Sequence, residues 1–232
     1  MKGASLLIFA AIAMSVVYAG LAVAIPPEAF FSGYEGVQWL QTDSIIRHRW
    51  TSLAVDPPGG DLDPEARFLP PFLVEKQGRI RSIHPAFMPL LASLPYAVAG
   101  MRGMYLIPAI SAILCLVAAT SLARSVLPPG TPGGWAALAG AAAVAGSPLI
   151  FYGATLWEHA QAAALCTLAM IPLCRGGRDD ESAAPEPGRA VAAGFLIGLA
   201  AVARTEAALL LPAAALGGAL AWGLRAFLRP AA

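Results

Sequence analysis

The sequence predicts an all-α integral membrane protein of about six transmembrane helices, with a long first extracytoplasmic loop carrying interfacial helices. Three observations predict it. Of 232 residues, 58% are hydrophobic and only 12% are charged, about half the charged share of a soluble domain. Mean hydropathy is +0.67. Apolar stretches of about 20 residues, the length that crosses a bilayer as a helix, recur along the chain. These features exclude an ordinary cytosolic enzyme. The net charge of +1 supplies no field to steer polyanions, so nucleic acid is excluded as a partner. Cys115, Cys166 and Cys174 all lie in apolar stretches and read as small hydrophobes, not as a disulfide framework or metal cluster.

The chain is expected to form a single transmembrane domain, with residues 1–25 as its first span. The apolar run from Ala4 to Ile25 is opened by Lys2 and closed by Pro26-Pro27. Ala22-Val23-Ala24 resembles a signal-peptidase site, so a cleaved signal peptide competes with an uncleaved anchor; the length of the run favours the anchor. Residues 26–102 hold eight of the 14 acidic residues and many prolines, which makes them a periplasmic loop with juxtamembrane helices. Within the loop, EGVQWLQTDSIIRH (35–48) predicts a short interfacial helix. Val37, Leu40 and Ile45 or Ile46 would face lipid, with Trp39 and Trp50 at headgroup level. The stretch from Pro85 to Gly100 is short and broken by Pro85, Pro89 and Pro95, and predicts an interfacial or partly embedded helix in place of a full span.

Residues 103–229 supply five further spans: about 103–123, 134–151, 154–173, and a stretch from 190 to 224 that is too long for one crossing. Arg204-Thr205-Glu206 lies near the middle of that stretch, where charge is costly in hydrocarbon, so two helices are expected to turn there. With the N-terminus cytoplasmic, the short inner segments hold Lys2, Arg124, Arg175, Arg178, Arg189, Arg225 and Arg229, and the short outer turns only Arg204. A crossing at 85–100 would move Arg124 outside and invert every later loop.

This topology collects ionisable residues at the outer face: Glu35, then Arg79, Arg81 and His84, then Glu158 and His159, and finally Arg204 and Glu206. Such groups at the mouth of a bundle are expensive unless paired or wet, which points to a functional site; the plainer alternative is that Arg204, Glu206 and Glu158 merely tie helix ends together. Glu35, Glu158 and Glu206 offer oxygens suited to Mg²⁺ or Mn²⁺, although no local spacing specifies a site. His48, His84 and His159 are scattered, which argues against zinc. There is no GxGxxG, Walker-type loop or GxSxG. LPPGTPGG and RGGRDDESAAPEPGR read as polar cytoplasmic turns, and GWAALAGAAAVAG as a stretch that permits close helix packing.

A first span followed by FFSGYEGVQWLQTDSIIRHRW, SIHPAFMPLLASLPYAVAGMRGMYLIPAISAILCLVAATSLAR, SPLIFYGATLWEHAQAAALCTLAM and GFLIGLAAVARTEAALLLPAAAL resembles the N-terminal half of GT-C membrane glycosyltransferases. The nearest branch is the prokaryotic one similar to dolichyl-phosphate-mannose protein mannosyltransferases and lipid A aminoarabinose transferases. The order and spacing of the blocks carry the resemblance across nearly the whole chain, and no single block is diagnostic. It implies an inverting transferase in the bacterial inner membrane, with a periplasm-facing site. The donor would be a polyprenyl-phosphate sugar and the acceptor a lipid, a glycan or a protein.

Such families place an acidic motif, often Asp-Glu, just after the first span. Here the matching place reads Ser32-Gly33-Tyr34-Glu35-Gly36, with Tyr34 where Asp is expected. Glu35 then serves as base or metal ligand, Asp43 substitutes for it, or the chain is inactive. The LWEH block matches at Glu158 and His159, and the ARTEA block at Arg204 and Glu206. The family's later spans and soluble domain are missing, so the chain is expected to be a short form, a fragment or one part of a split enzyme. A second membrane subunit supplying the missing helices is a candidate partner.

The chemistry asks for a carboxylate within reach of the acceptor hydroxyl, contributing about 10²- to 10⁴-fold. It also asks for cations on the departing phosphate, for which Arg204, Arg79 or Arg81 are candidates because the guanidinium fork meets phosphate bidentately. Lipid-facing grooves between spans would take the isoprenoid tail. The competing reading is a non-catalytic membrane subunit or pseudoenzyme that binds lipid-linked intermediates or a partner protein. A small transporter is disfavoured, because no inverted repeat with broken helices is visible.

Overall fold

The computed structural model describes residues 2–26, 29–59, 61–63, 71–175, 187–217 and 220. The described chain is mostly helical. Helix α1 (Lys2–Ala24) is apolar on every side, and leaves Ile8, Phe9, Ile12, Val16 and Val23 exposed. A helix without a polar face has no side suited to water. Its 22-residue apolar part, Gly3–Ala24, measures about 33 Å at 1.5 Å per residue, enough for a bilayer's hydrocarbon.

Helix α2 (Gly33–Arg47) follows an extended Ser32 whose carbonyl accepts the Glu35 N–H at 3.2 Å. Unlike α1 it is polar, yet it buries Glu35, Val37, Gln38, Leu40, Gln41, Thr42, Ser44 and Ile45. The expectation that Val37, Leu40 and Ile45 or Ile46 face lipid is corrected here for Val37, Leu40 and Ile45, which lie inside the protein, while Ile46 is half-buried. Val37 and Leu40 pack with Val55 and Leu73, and Ile80 closes over them. A β-hairpin absent from the sequence-based expectation supplies Leu73 and Ile80. Strands β1 (Leu73–Lys76) and β2 (Arg79–Ser82) pair antiparallel, with Leu73 opposite Ser82 and Lys76 opposite Arg79. Gln77 and Gly78 turn the chain with φ of 58° and 68°, the left-handed pair that matches the twist of a two-residue hairpin. The Val55 N–H donates to the Ile80 carbonyl at 2.9 Å on the other edge of β2.

Helix α3 (Phe87–Ala99) contains Pro95 and buries Met88 and Ala92 against Met104, Tyr105 and Leu156. Its other side leaves Leu90, Leu91, Leu94 and Val98 exposed. A short α4 (Met101–Met104) leads through Tyr105 into α5 (Leu106–Val126). Together, Met101–Val126 form the second helix long and apolar enough to cross a membrane.

Helices α6 (Gly133–Ala145), α7 (Leu149–Tyr152) and α8 (His159–Arg175) are shorter than the forecast spans, and α9 (Pro187–Ala203) forms the first part of the long stretch. Pro148 opens α7, so the forecast span at 134–151 is divided. At Arg204 the backbone becomes extended (φ −144°, ψ 121°) before a 3₁₀ turn at Thr205–Leu209, and an apolar helical stretch then continues to Gly217. The long stretch therefore breaks at the expected triplet. The end of the sixth expected span with Arg225 and Arg229, the loop carrying Arg178, and the side chains of Lys2 and Arg175 fall outside what is described.

The chain divides into two compact units. One comprises Met1–Ala10, Leu114–Gly146 and Ala162–Ala232; the other comprises Ala11–Ile113 and Ser147–Gln161.

Candidate functional site

Seven of the nine candidate residues (Glu35, Asp43, Arg79, Arg81, His84, Glu158 and His159) belong to the second unit. The N-terminal turn of α2 organises the first group. Glu35 is fully enclosed, and its two oxygens accept backbone N–H groups from Phe31 at 2.6 Å and Leu156 at 2.9 Å. Burial pushes its carboxyl above the usual glutamate range; the donors at Leu156, Phe31 and Ser32 pull the other way and are outweighed.

One residue earlier, Tyr34 donates its hydroxyl to Glu158, which is also enclosed. Gln38, one helical turn on, donates its amide to both the Tyr34 hydroxyl at 2.7 Å and Glu158 at 2.6 Å. Tyr34 thus stands where the resemblance expects Asp and acts as a hydrogen-bond donor to a second carboxylate. The remaining oxygen of Gln38 and the Thr155 hydroxyl, both buried, have no hydrogen-bond partner among the described residues.

Both candidate histidines are placed by aromatic rings. His84 meets the Tyr34 ring edge-on at 4.4 Å, and His159 stacks on Tyr152 at 4.3 Å. Trp157 lies 5.8 Å from Tyr34 and 5.2 Å from His159, linking the two. For Mg²⁺ or Mn²⁺ the arrangement does not fit. Glu35 already faces two N–H donors and Glu158 two side-chain donors, whereas such a cation needs several oxygens converging on one point. Among the described residues no group of three or more His, Cys, Asp or Glu is placed to hold a metal.

Asp43 lies two turns further along α2, outside this enclosed cluster. It accepts the Tyr96 hydroxyl at 2.9 Å and pairs with Arg47 at 2.7 Å. Its side chain is 19% exposed and that of Arg47 is 66% exposed. Burial raises the Tyr96 phenol above its ordinary range, keeping it a donor to Asp43 while it accepts the Trp39 indole N–H at 3.3 Å. After α2 the chain turns through Arg49 and Trp50, both left-handed with φ of 52° and 58°, a conformation that costs a non-glycine residue roughly 1–2 kcal/mol. The Trp50 indole donates to Ser93 on α3 at 2.8 Å, anchoring the turn, and His48 meets Asp56 at 3.0 Å. Arg47 and Arg49 are both exposed at this corner.

The other candidates belong to other elements. Arg79 and Arg81 occupy alternate positions of β2 and are exposed, while Ile80 between them points to the core. Arg204 and Glu206 belong to the first unit and pair with each other at 2.9 Å. Sequence reasoning missed Tyr34 as a donor, Gln38, Arg47 and Tyr96. The spacing of Tyr34 to Gln38 and of Asp43 to Arg47, four apart on a helix, was the readable signal for three of them. Compared with protein families, with curated proteins and with solved structures, the chain matches none.

Proposed function

We propose that the chain is a multi-pass inner-membrane glycosyltransferase, its N-terminus cytoplasmic, that moves a sugar from a polyprenyl-phosphate donor to a lipid, glycan or protein acceptor at the outer face. Two long apolar helices and a wide set of exposed apolar side chains support the membrane setting. One observation carries the site: of Glu35, Asp43 and Glu158, Asp43 alone is not enclosed, and an arginine stands beside it.

A general base must reach the proton it removes. Asp43 takes the proton of the acceptor hydroxyl, and the freed oxygen attacks the anomeric carbon. The bond from that carbon to the phosphate oxygen breaks, inverting the centre and releasing polyprenyl phosphate. Arg47 and Arg49 hold the departing phosphate. An exposed ion pair is worth at most about 1 kcal/mol, so Arg47 exchanges Asp43 for a phosphate at little cost. Glu35 and Glu158 position α2 and stay out of the chemistry.

The test is transfer from a radiolabelled polyprenyl-phosphate sugar by membranes holding equal amounts of each variant. Asp43→Asn is expected to lower the rate by about 10²-fold or more; a rate equal to wild type removes the role. A second reading, a non-catalytic subunit binding lipid-linked intermediates, is favoured by Tyr34 standing where the acidic motif is expected and by the internal bonding of Glu35 and Glu158. It predicts donor binding without transfer.

A further inference from the structure

Every exposed residue of α3 is apolar: Leu90, Leu91, Leu94, Ala97, Val98 and Ala99. The four large ones, 42% to 89% exposed, fall within about 100° of helix turn, opposite the buried Met88, Ala92 and Ser93. What the inner side touches sets the level of the helix. Met88 and Ala92 pack with Met104, Tyr105 and Leu156, and Ala22 closes on the same cluster. Ala22 stands near the end of α1, and Met104 and Tyr105 near the start of the apolar helical stretch Met101–Val126. The two long apolar helices therefore both end where α3 lies, and only Gly100 separates α3 from the second. With 13 residues, α3 measures about 20 Å and is too short to cross a bilayer. Trp50 stands beside it, 49% exposed, with its indole N–H bound to Ser93 at 2.8 Å.

We propose that α3 lies in the plane of the membrane, its outer stripe among the acyl chains and Trp50 at the level of the headgroups. A spanning helix leaves the hydrocarbon at its ends, so an element packed against two such ends sits at the border of the bilayer. A short helix with one wholly apolar face is the form that suits this position. An indole with its N–H satisfied and its ring exposed suits the adjoining headgroup layer. The inference rests on the membrane part of the proposed function. On that reading the chain enters the hydrocarbon one residue after α3 ends, which makes lipid the occupant and not a soluble protein. The placement also fixes the depth of the proposed base. Tyr96, on the inner side of α3, donates to Asp43 at 2.9 Å, so Asp43 lies about 10 Å, one helix diameter, from the stripe. It then works at headgroup depth, where the phosphate of a polyprenyl lipid lies. Insertion of α3 does not itself depend on sugar transfer.

The test reconstitutes the full chain, with Cys115, Cys166 and Cys174 replaced by Ala, in phosphatidylcholine nanodiscs. A nitroxide label is placed on one variant at a time: Leu94→Cys and Val98→Cys on the stripe, Ile12→Cys on α1 and Gln77→Cys at the hairpin turn. All four side chains are exposed, so no label disturbs the packed side, and two stripe positions guard against one variant failing to fold. Electron paramagnetic resonance then compares relaxation by oxygen, which concentrates in hydrocarbon, with relaxation by a water-soluble nickel chelate. Labels on Leu94→Cys and Val98→Cys are expected to favour oxygen several-fold, as the label on Ile12→Cys does, and the label on Gln77→Cys to favour the chelate. Chelate access at both stripe positions equal to that at the hairpin turn overturns the proposal, reassigning the stripe to water. Shielding of both from either reagent also overturns it, and spin–spin broadening then identifies a second copy as the cover. Chelate access on Ile12→Cys refutes the membrane reading itself; oxygen there with chelate access on the stripe refutes only this proposal.

Discussion

The carboxylate of Glu35 joins the start of α2 to Leu156, 121 positions later, by accepting the Leu156 N–H at 2.9 Å while its other oxygen accepts the Phe31 N–H. A residue that the sequence marks as a catalytic base is, in the fold, a clamp between two distant segments. Glu35→Ala removes the acceptor of two N–H donors, the one at Leu156 buried, and an unpaired buried donor costs about 1–3 kcal/mol. A destabilisation of about 2–4 kcal/mol is expected in chemical unfolding followed by tryptophan fluorescence in detergent. A loss below about 0.5 kcal/mol would mean that the clamp carries no load.

The same carboxyl makes stability depend on pH. Its folded value lies above the ordinary 4.5 because burial penalises the charge. The fold therefore holds the proton more tightly than the unfolded chain does. The contribution is fully present below pH 4.5 and is lost as pH rises through the folded value. Wild type should lose stability relative to Glu35→Gln as pH climbs through that window. A difference between the two that does not change with pH contradicts the assignment.

Tyr34, Gln38 and Glu158 form one hydrogen-bonded unit, so their contributions should not add. Tyr34→Phe is expected to cost about 1–3 kcal/mol in wild type and much less in the Glu158→Gln background, whose amide no longer presents a full acceptor charge. Thermal unfolding of the two single variants and the double variant measures the coupling. Additive losses would show that the hydroxyl and the carboxylate do not interact.

The hairpin turn offers a change in the stabilising direction. Gln77 is exposed and held at φ 58°, where Asn and Gly are at home. Gln77→Gly should raise stability by about 0.5–1 kcal/mol, read as a shift in the unfolding midpoint. A loss of stability would mean that the turn conformation is not as described.

Much of the architecture was legible because it is written in long-range composition. The apolar runs gave α1 and α5, the proline-broken stretch gave α3, and Arg204-Thr205-Glu206 gave the break after α9. The hairpin was not legible. Its strands are only four residues each, and LVEK and RIRS show no alternation strong enough to separate them from loop. That omission led directly to the wrong side for Val37 and Leu40, since a helix stripe shows that a face is apolar and not what covers it. At the site, the sequence shows which residues carry charge but not how exposed each of them is. Whether a carboxylate is clamped like Glu35 or half-open like Asp43 depends on Leu156 and Tyr96, which reach α2 only through the fold.

The proposed function requires the Asp43–Arg47 corner to face the outside of the cell, and the proposed topology, with its N-terminus cytoplasmic, requires Arg124 to face the cytoplasm. A membrane-impermeant maleimide tests both on Arg47→Cys and Arg124→Cys, each made in a chain with Cys115, Cys166 and Cys174 replaced by Ala. The Arg47→Cys variant should be labelled in intact spheroplasts and the Arg124→Cys variant only after permeabilisation. Labelling of both from one side, or of the Arg47→Cys variant only after permeabilisation, contradicts an outward-facing transfer site.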